Sequence, residues 1–140
     1  MTTLQELRNT RWVGKNELWL DPTGNTAETC DATLTIGDNT IEYRWSREGT
    51  EHTGALALRD GGADFTDTFH SAKPMPLETV AGSWCLLDMK GTYTWEGSPP
   101  WGWRIYVSRR PESDELVLQM TNVTPWGEDV RAVRMICRRA

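Results

Sequence analysis

The chain has 140 residues and a formal net charge of −5, with 15 Lys and Arg against 20 Asp and Glu. That length suits one domain with a substantial core. The acidity argues against nucleic acid as a partner, because the basic pairs Arg109-Arg110 and Arg138-Arg139 are too short to form a patch. No apolar run approaches the roughly 18 residues of a membrane-spanning helix, so no membrane partner is expected either.

Residues 3 to 9 carry the one helix signal. Thr3 and Glu6 have the spacing of a capping box, and Leu4 and Leu7 share a face, which predicts a short helix within a lead-in over residues 1–11. Beyond Arg11 the apolar period is two. Strands are expected near 12–20, 29–36, 40–47, 51–59, 63–70, 77–81, 83–95, 101–109, 115–123 and 128–138. Turn-forming stretches separate them, among them "DPTGN", "RDGG", "KPMP" and "TPWGE"; "HSAKPMP" reads as a loop. Short strands joined by hairpin-sized turns predict a single all-β domain over residues 1–140. Its expected form is an antiparallel up-and-down barrel of eight to ten strands with the helix across one end. A sandwich is the alternative.

Strand parity then assigns an inward face. It holds Trp12, Gly14, Asn16, Leu18 and Leu20, then Cys30, Ala32, Leu34 and Ile36, then Ile41, Tyr43 and Trp45. His52, Gly54, Leu56 and Leu58 follow, with Phe65, Asp67 and Phe69 on the next strand. Trp101, Trp103, Ile105 and Val107 share one side of "WGWRIYV", and Leu116, Leu118, Met120 and Asn122 complete the set. This face is mostly apolar, yet Asn16, Tyr43, His52, Asp67 and Asn122 interrupt it. Buried polar groups need partners, so such interruptions point to a wetted or ligand-filled interior. The chain also has 8 Trp, a residue that recurs in pocket walls because its large ring carries one polar edge.

Several segments resemble a bacterial family of small calycin-like barrels, a domain of unknown function related in architecture to lipocalins. The resemblance rests on "DTFH" (Asp67 to His70), "WGWRI" (Trp101 to Ile105) and "NVTPWGEDVRAV" (Asn122 to Val133), in that order. "EYRWSREGTEHTGALAL" is similar to the family's aromatic strand, turn and following strand. "TRWVG" is similar to the G-x-W entry of calycins, with Thr10-Arg11 in place of the glycine. Phe69 stands where the family tends to have tryptophan. The resemblance spans roughly residues 10–138 and implies a calycin-like barrel, but hardly any function, because such barrels host many unrelated ligands.

Asp67 is the candidate catalytic residue. Between Phe65 and Phe69 its carboxyl would be desolvated, which raises a pKa and suits acid or base chemistry; a structural carboxylate is the alternative. The ligand-binding candidates are Asn16, Tyr43, Trp45, His52, Phe69, His70, Trp103, Met120 and Asn122. His70 points outward by strict alternation but could still cap the barrel mouth. Trp95 and Trp101 flank "EGSPP" and could gate it. Arg104 reads as an outward salt-bridge partner, and Arg131 could neutralise Asp67. Cys30, Cys85 and Cys137 are far apart and lack CxxC spacing, so free thiols are expected, with no metal site and no cofactor. The start has no signal-peptide pattern, which predicts a cytoplasmic protein.

No nucleophile elbow, phosphate-binding loop or dinucleotide fingerprint is present. The expected function is binding of a small apolar or aromatic molecule inside the barrel. The alternative is a cofactor-free cyclase or isomerase that folds its substrate against the barrel wall. A homodimer through exposed tryptophans is left open.

Overall fold

The computed structural model describes residues 3–21, 25–94 and 97–140. Ten strands follow one another: β1 Thr10–Trp19, β2 Ala27–Ile36, β3 Thr40–Arg47, β4 Thr50–Arg59, β5 Gly62–Asp67, β6 Ser71–Thr79, β7 Leu87–Tyr93, β8 Trp101–Arg110, β9 Glu115–Val123 and β10 Asp129–Arg139. Each pairs antiparallel with its sequence neighbour, and β1 pairs with β10, which closes the barrel and removes the sheet edges. The all-β up-and-down barrel expected from the alternating pattern is therefore present, at the upper end of the expected strand number.

Four local expectations change. The N-terminal helix shrinks to one 3-10 turn over Gln5–Leu7. The capping box does form, with the Glu6 N–H donating to Thr3 Oγ1 at 3.4 Å and the Thr3 N–H to Glu6 Oε2 at 3.3 Å. Asn9, however, has φ of 61° and β1 starts at Thr10, so the chain turns before a second helical turn can propagate. Leu7 is buried and plugs this end of the barrel.

The strand expected over 63–70 ends at Asp67. Oδ1 of Asp67 accepts the N–H groups of Phe69 (2.6 Å) and His70 (2.9 Å), and this side-chain turn competes with the ladder. Phe69 is consequently a turn residue, 39% exposed, and not an inward strand residue; Leu20, just past β1, is exposed as well.

The segment read as a loop, "HSAKPMP", is instead most of β6. Prolines are tolerated there because of which way their missing donors face. The Thr79 N–H bonds the carbonyl of Gly61, just before β5, and the Val80 N–H bonds the Asp88 carbonyl of β7. By alternation Pro74 and Pro76 face β7, so β6 keeps its donors toward β5, while its ladder with β7 has only the pairs Glu78↔Lys90 and Thr79↔Met89.

The strand expected over 83–95 begins only at Leu87. Residues 80–86 form a loop in which Ser83 Oγ donates to Asp88 Oδ2 at 2.6 Å.

The interior has two layers. Near the 3-10 turn it is apolar, packed with Trp12, Leu34, Ile36, Ile41, Leu56, Phe65, Leu77, Ile105 and Leu116, all essentially without solvent contact. The connections β1–β2, β3–β4, β5–β6, β7–β8 and β9–β10 gather at the opposite end, here called the mouth. Asn16, Tyr43, Trp45, Asp67, Trp103 and Met120 are buried toward that end. The tryptophans are unevenly shared. Trp19, Trp45, Trp101, Trp103 and Trp126 belong to the mouth end, whereas Trp12 and Trp84 lie at the closed end. Trp95, expected to gate the mouth, lies outside the described residues.

Candidate functional site

Three strands build the centre of the mouth layer through one row of the sheet. Tyr43 on β3 is paired with Gly54 on β4, and Gly54 with Asp67 on β5. A Cβ on Gly54 would overlap Cζ and Oη of Tyr43. The absent side chain lets the phenol cross β4, so that its hydroxyl donates to Asp67 Oδ2. The same hydroxyl lies 4.0 Å from the sulfur of Met120 on β9.

His70 completes the centre. Its Nδ1 is 3.3 Å from Asp67 Oδ2, close enough for an ion pair although outside good hydrogen-bond alignment. Strict alternation would have turned His70 outward; the turn after Asp67 swings it back to the carboxylate.

The Asp67 side chain has no solvent contact. Burial alone pushes its pKa up, as expected from the sequence. The nearby His70 imidazole, the Tyr43 hydroxyl and the His70 N–H outweigh it, so the net shift is downward. That corrects the expectation of a raised carboxyl: Asp67 is held as the carboxylate. Tyr43 responds oppositely. Burial, then the Asp67 charge and the hydrogen bond to it, raise its pKa well above the ordinary phenol value.

Aromatic rings extend from this centre around the mouth. Trp45 stacks on His52 at 4.7 Å between centroids, and both meet the edge of Phe69 at 5.2 Å. Phe69 meets His70 at 4.8 Å, His70 meets Trp103 at 5.2 Å, and Trp103 lies 6.1 Å from Phe65. His52 Nδ1 is 3.1 Å from Thr68 Oγ1, which anchors the far end of this chain. Across the barrel Asn122, paired in register with Trp103, accepts a 2.6 Å hydrogen bond from the hydroxyl of Tyr93. Nine of the ten candidates, Asp67, Tyr43, Trp45, His52, Phe69, His70, Trp103, Met120 and Asn122, thus form one connected set. Asn16 stands apart, its Nδ2 3.9 Å from the sulfur of Cys30.

Some polar atoms of this layer remain without hydrogen-bond partners among the described residues. They include Nδ1 of His70 and also Nε1 of Trp45, Nε1 of Trp103 and Oδ1 of Asn16, the last three on residues 3%, 4% and 0% exposed. An orphaned buried donor or acceptor costs about 1–3 kcal/mol, which makes several in one layer worth explaining. Beside Trp45, where β2 and β3 stop pairing after Ala32↔Trp45, a cavity of about 190 Å³ opens between Leu18, Cys30 and Trp45. The Arg47–Glu28 ion pair, at 3.0 Å, closes over it. A wider depression of about 620 Å³ lies over the outer wall of β2–β5 on a floor of Thr33, Thr35, Thr53 and Thr66.

Outside the barrel Arg104 behaves as expected. Its Nε and Nη2 donate to Asp88 at 2.8 and 2.6 Å, and its Nη1 reaches Asp129 at 3.2 Å. Arg131 does not neutralise Asp67; its guanidinium lies 4.8 Å from the centroid of Trp19. The side chains against the Asp67 carboxylate are Tyr43 and His70. All three cysteines are free, Cys137 buried and the other two half-buried. Among the described residues no group of three or more His, Cys, Asp or Glu side chains is arranged to hold a metal ion.

Sequence reasoning did not single out Gly54 or Tyr93. A glycine facing a tyrosine across two predicted strands was the one available signal for Gly54. No protein-family model matches the chain, and no curated protein matches its sequence.

Proposed function

We propose that this ten-stranded barrel is calycin-like in the finer sense and binds a small apolar or aromatic molecule at its mouth. One observation carries the reading. Among the described residues, buried polar atoms of Trp45, Trp103 and Asn16 lack hydrogen-bond partners, and all three lie in the mouth layer, the two tryptophans among stacked rings. Aromatic walls with a few convergent polar groups suit a ligand with a flat apolar body and a hydrogen-bonding edge. The 190 Å³ cavity beside Trp45 is small for a whole drug-sized ligand, so the rings at the rim, Phe69 foremost, move when the molecule enters.

Tryptophan fluorescence tests this directly. Titration with 1-acetylnaphthalene quenches the wild-type emission saturably, and Trp103→Ala weakens the titration. An unchanged titration in Trp103→Ala would show the pocket assignment to be wrong.

A second reading, cofactor-free catalysis, is favoured by the Tyr43–Asp67–His70 contacts, since an ionised carboxylate beside an imidazole is a proton-transfer arrangement. Positioning a substrate against rigid rings can supply roughly 7–11 kcal/mol without a nucleophile. Activity on an identified substrate that survived Asp67→Asn with its pH profile intact would leave Asp67 structural.

A further inference from the structure

We infer that the ligand carries an ionisable hydroxyl on an aromatic or enolic carbon, and that Nε2 of His70, not the carboxylate of Asp67, receives its proton. The inference rests on the binding reading above and specifies its chemistry.

Asp67 is not available to a ligand. Its side chain has no solvent contact, Oδ1 holds the N–H groups of Phe69 and His70, and Oδ2 holds the Tyr43 hydroxyl and faces His70 Nδ1. His70 is reachable. Its side chain is 15% exposed, and its ring lies between those of Phe69 and Trp103, the faces on which an aromatic ligand would stack. The two imidazole nitrogens lie on different edges of the ring. Nδ1 faces the Asp67 carboxylate at 3.3 Å, so Nε2 lies on the edge turned away from Asp67 and is the nitrogen a ligand can meet. Asp67 is thus a positioning residue, and His70 is the group that meets the ligand.

The step balances without any further reactant. The ligand O–H bond breaks, an N–H bond forms at Nε2, and the electron pair stays on the ligand oxygen. The imidazolium then sits beside the Asp67 carboxylate. The oxyanion needs an N–H donor, and the neighbouring ring of Trp103 carries one without a partner among the described residues. Two further titratable groups stand near His70. Tyr43 comes from β3 through Asp67, and His52 comes from β4 one ring away across Phe69. The Trp103 ring from β8 adds no charge.

The test uses 4-nitrophenol, whose phenolate absorbs in the visible, and 4-nitroanisole, the same ring without the proton. At a pH where free 4-nitrophenol is mostly undissociated, wild-type protein is expected to bind it with growth of the phenolate band. In His70→Gln that band disappears and 4-nitrophenol loses about tenfold more affinity than 4-nitroanisole does, the loss of one charge-assisted hydrogen bond. Should His70→Gln fail to fold, the imidazole nitrogen shifts of wild-type His70 decide, moving toward imidazolium values as 4-nitrophenol saturates. Binding of 4-nitrophenol without the phenolate band, a band that persists in His70→Gln, or binding of 4-nitroanisole alone would overturn the inference and leave the binding reading standing. If neither compound binds, the binding reading falls and takes the inference with it.

Discussion

The ring of Tyr43 occupies the space that a side chain on Gly54 would need, so the contact between β3 and β5 through Asp67 depends on a missing Cβ on the strand between them. Gly54→Ala is expected to push the phenol off Asp67 and to cost about 1–3 kcal/mol, the usual range for overpacking a filled interior. Tyr43→Phe, which keeps the ring and removes the donor, costs a similar amount because Asp67 loses a partner without regaining water. Urea unfolding of both variants and of the double variant checks the coupling. The double variant falls short of the sum if the two residues act through one contact; strict additivity contradicts it.

The downward shift at Asp67 predicts a pH dependence with a definite sign. A carboxyl whose folded pKa lies below its unfolded value, near 3.9, stabilises the fold above that unfolded value. The contribution is lost as the pH falls through the folded pKa. Other carboxyls are lowered too, among them Asp88 under the Arg104 guanidinium and Ser83, so wild type alone does not isolate the effect. The difference in stability between wild type and Asp67→Asn is expected to be constant near neutral pH and to shrink below about pH 4. A difference that widened on acidification would mean that burial wins and Asp67 is protonated in the folded state.

The three thiols should separate by reactivity. Burial raises the Cys137 thiol to about 11, and the residue is 1% exposed. Thiolate is the reactive form, so Cys137 stays unlabelled at pH 8 while half-buried Cys30 and Cys85 are alkylated. Peptide mass mapping after timed iodoacetamide treatment reads the order. Early labelling of Cys137 would place it outside the core between β10 and its neighbours.

Most of the fold was legible because a closed antiparallel barrel writes a period of two into nearly every strand. Ile41, Tyr43 and Trp45 alternate with Glu42, Arg44 and Ser46 and face inward as read. The errors fall where side chains override the alternation. Asp67 bonds two backbone N–H groups and ends β5 early, which moves Phe69 to the rim and swings His70 back. Pro74 and Pro76 read as a turn, and only the direction of their missing donors lets them sit in β6. The polar interruptions that mark the site were visible along single strands. Gly54 was not, because its role exists only in the row that joins three strands. Burial of Asp67 could be inferred from parity, but the sign of its shift depends on partners from β3 and from the following turn.

The central claim, that the mouth layer binds a flat molecule with a hydrogen-bonding edge, is tested most directly by the indole N–H signals of nitrogen-15-labelled protein during titration with 1-acetylnaphthalene, a ketone that accepts but cannot donate. Trp45 and Trp103 have buried N–H groups without partners among the described residues, while Trp84 and Trp126 are 84% and 73% exposed on the outer surface. The account predicts saturable shifts of the Trp45 and Trp103 signals with Trp84 and Trp126 unmoved. Shifts confined to Trp84 and Trp126, with Trp45 and Trp103 unchanged at saturation, would contradict it.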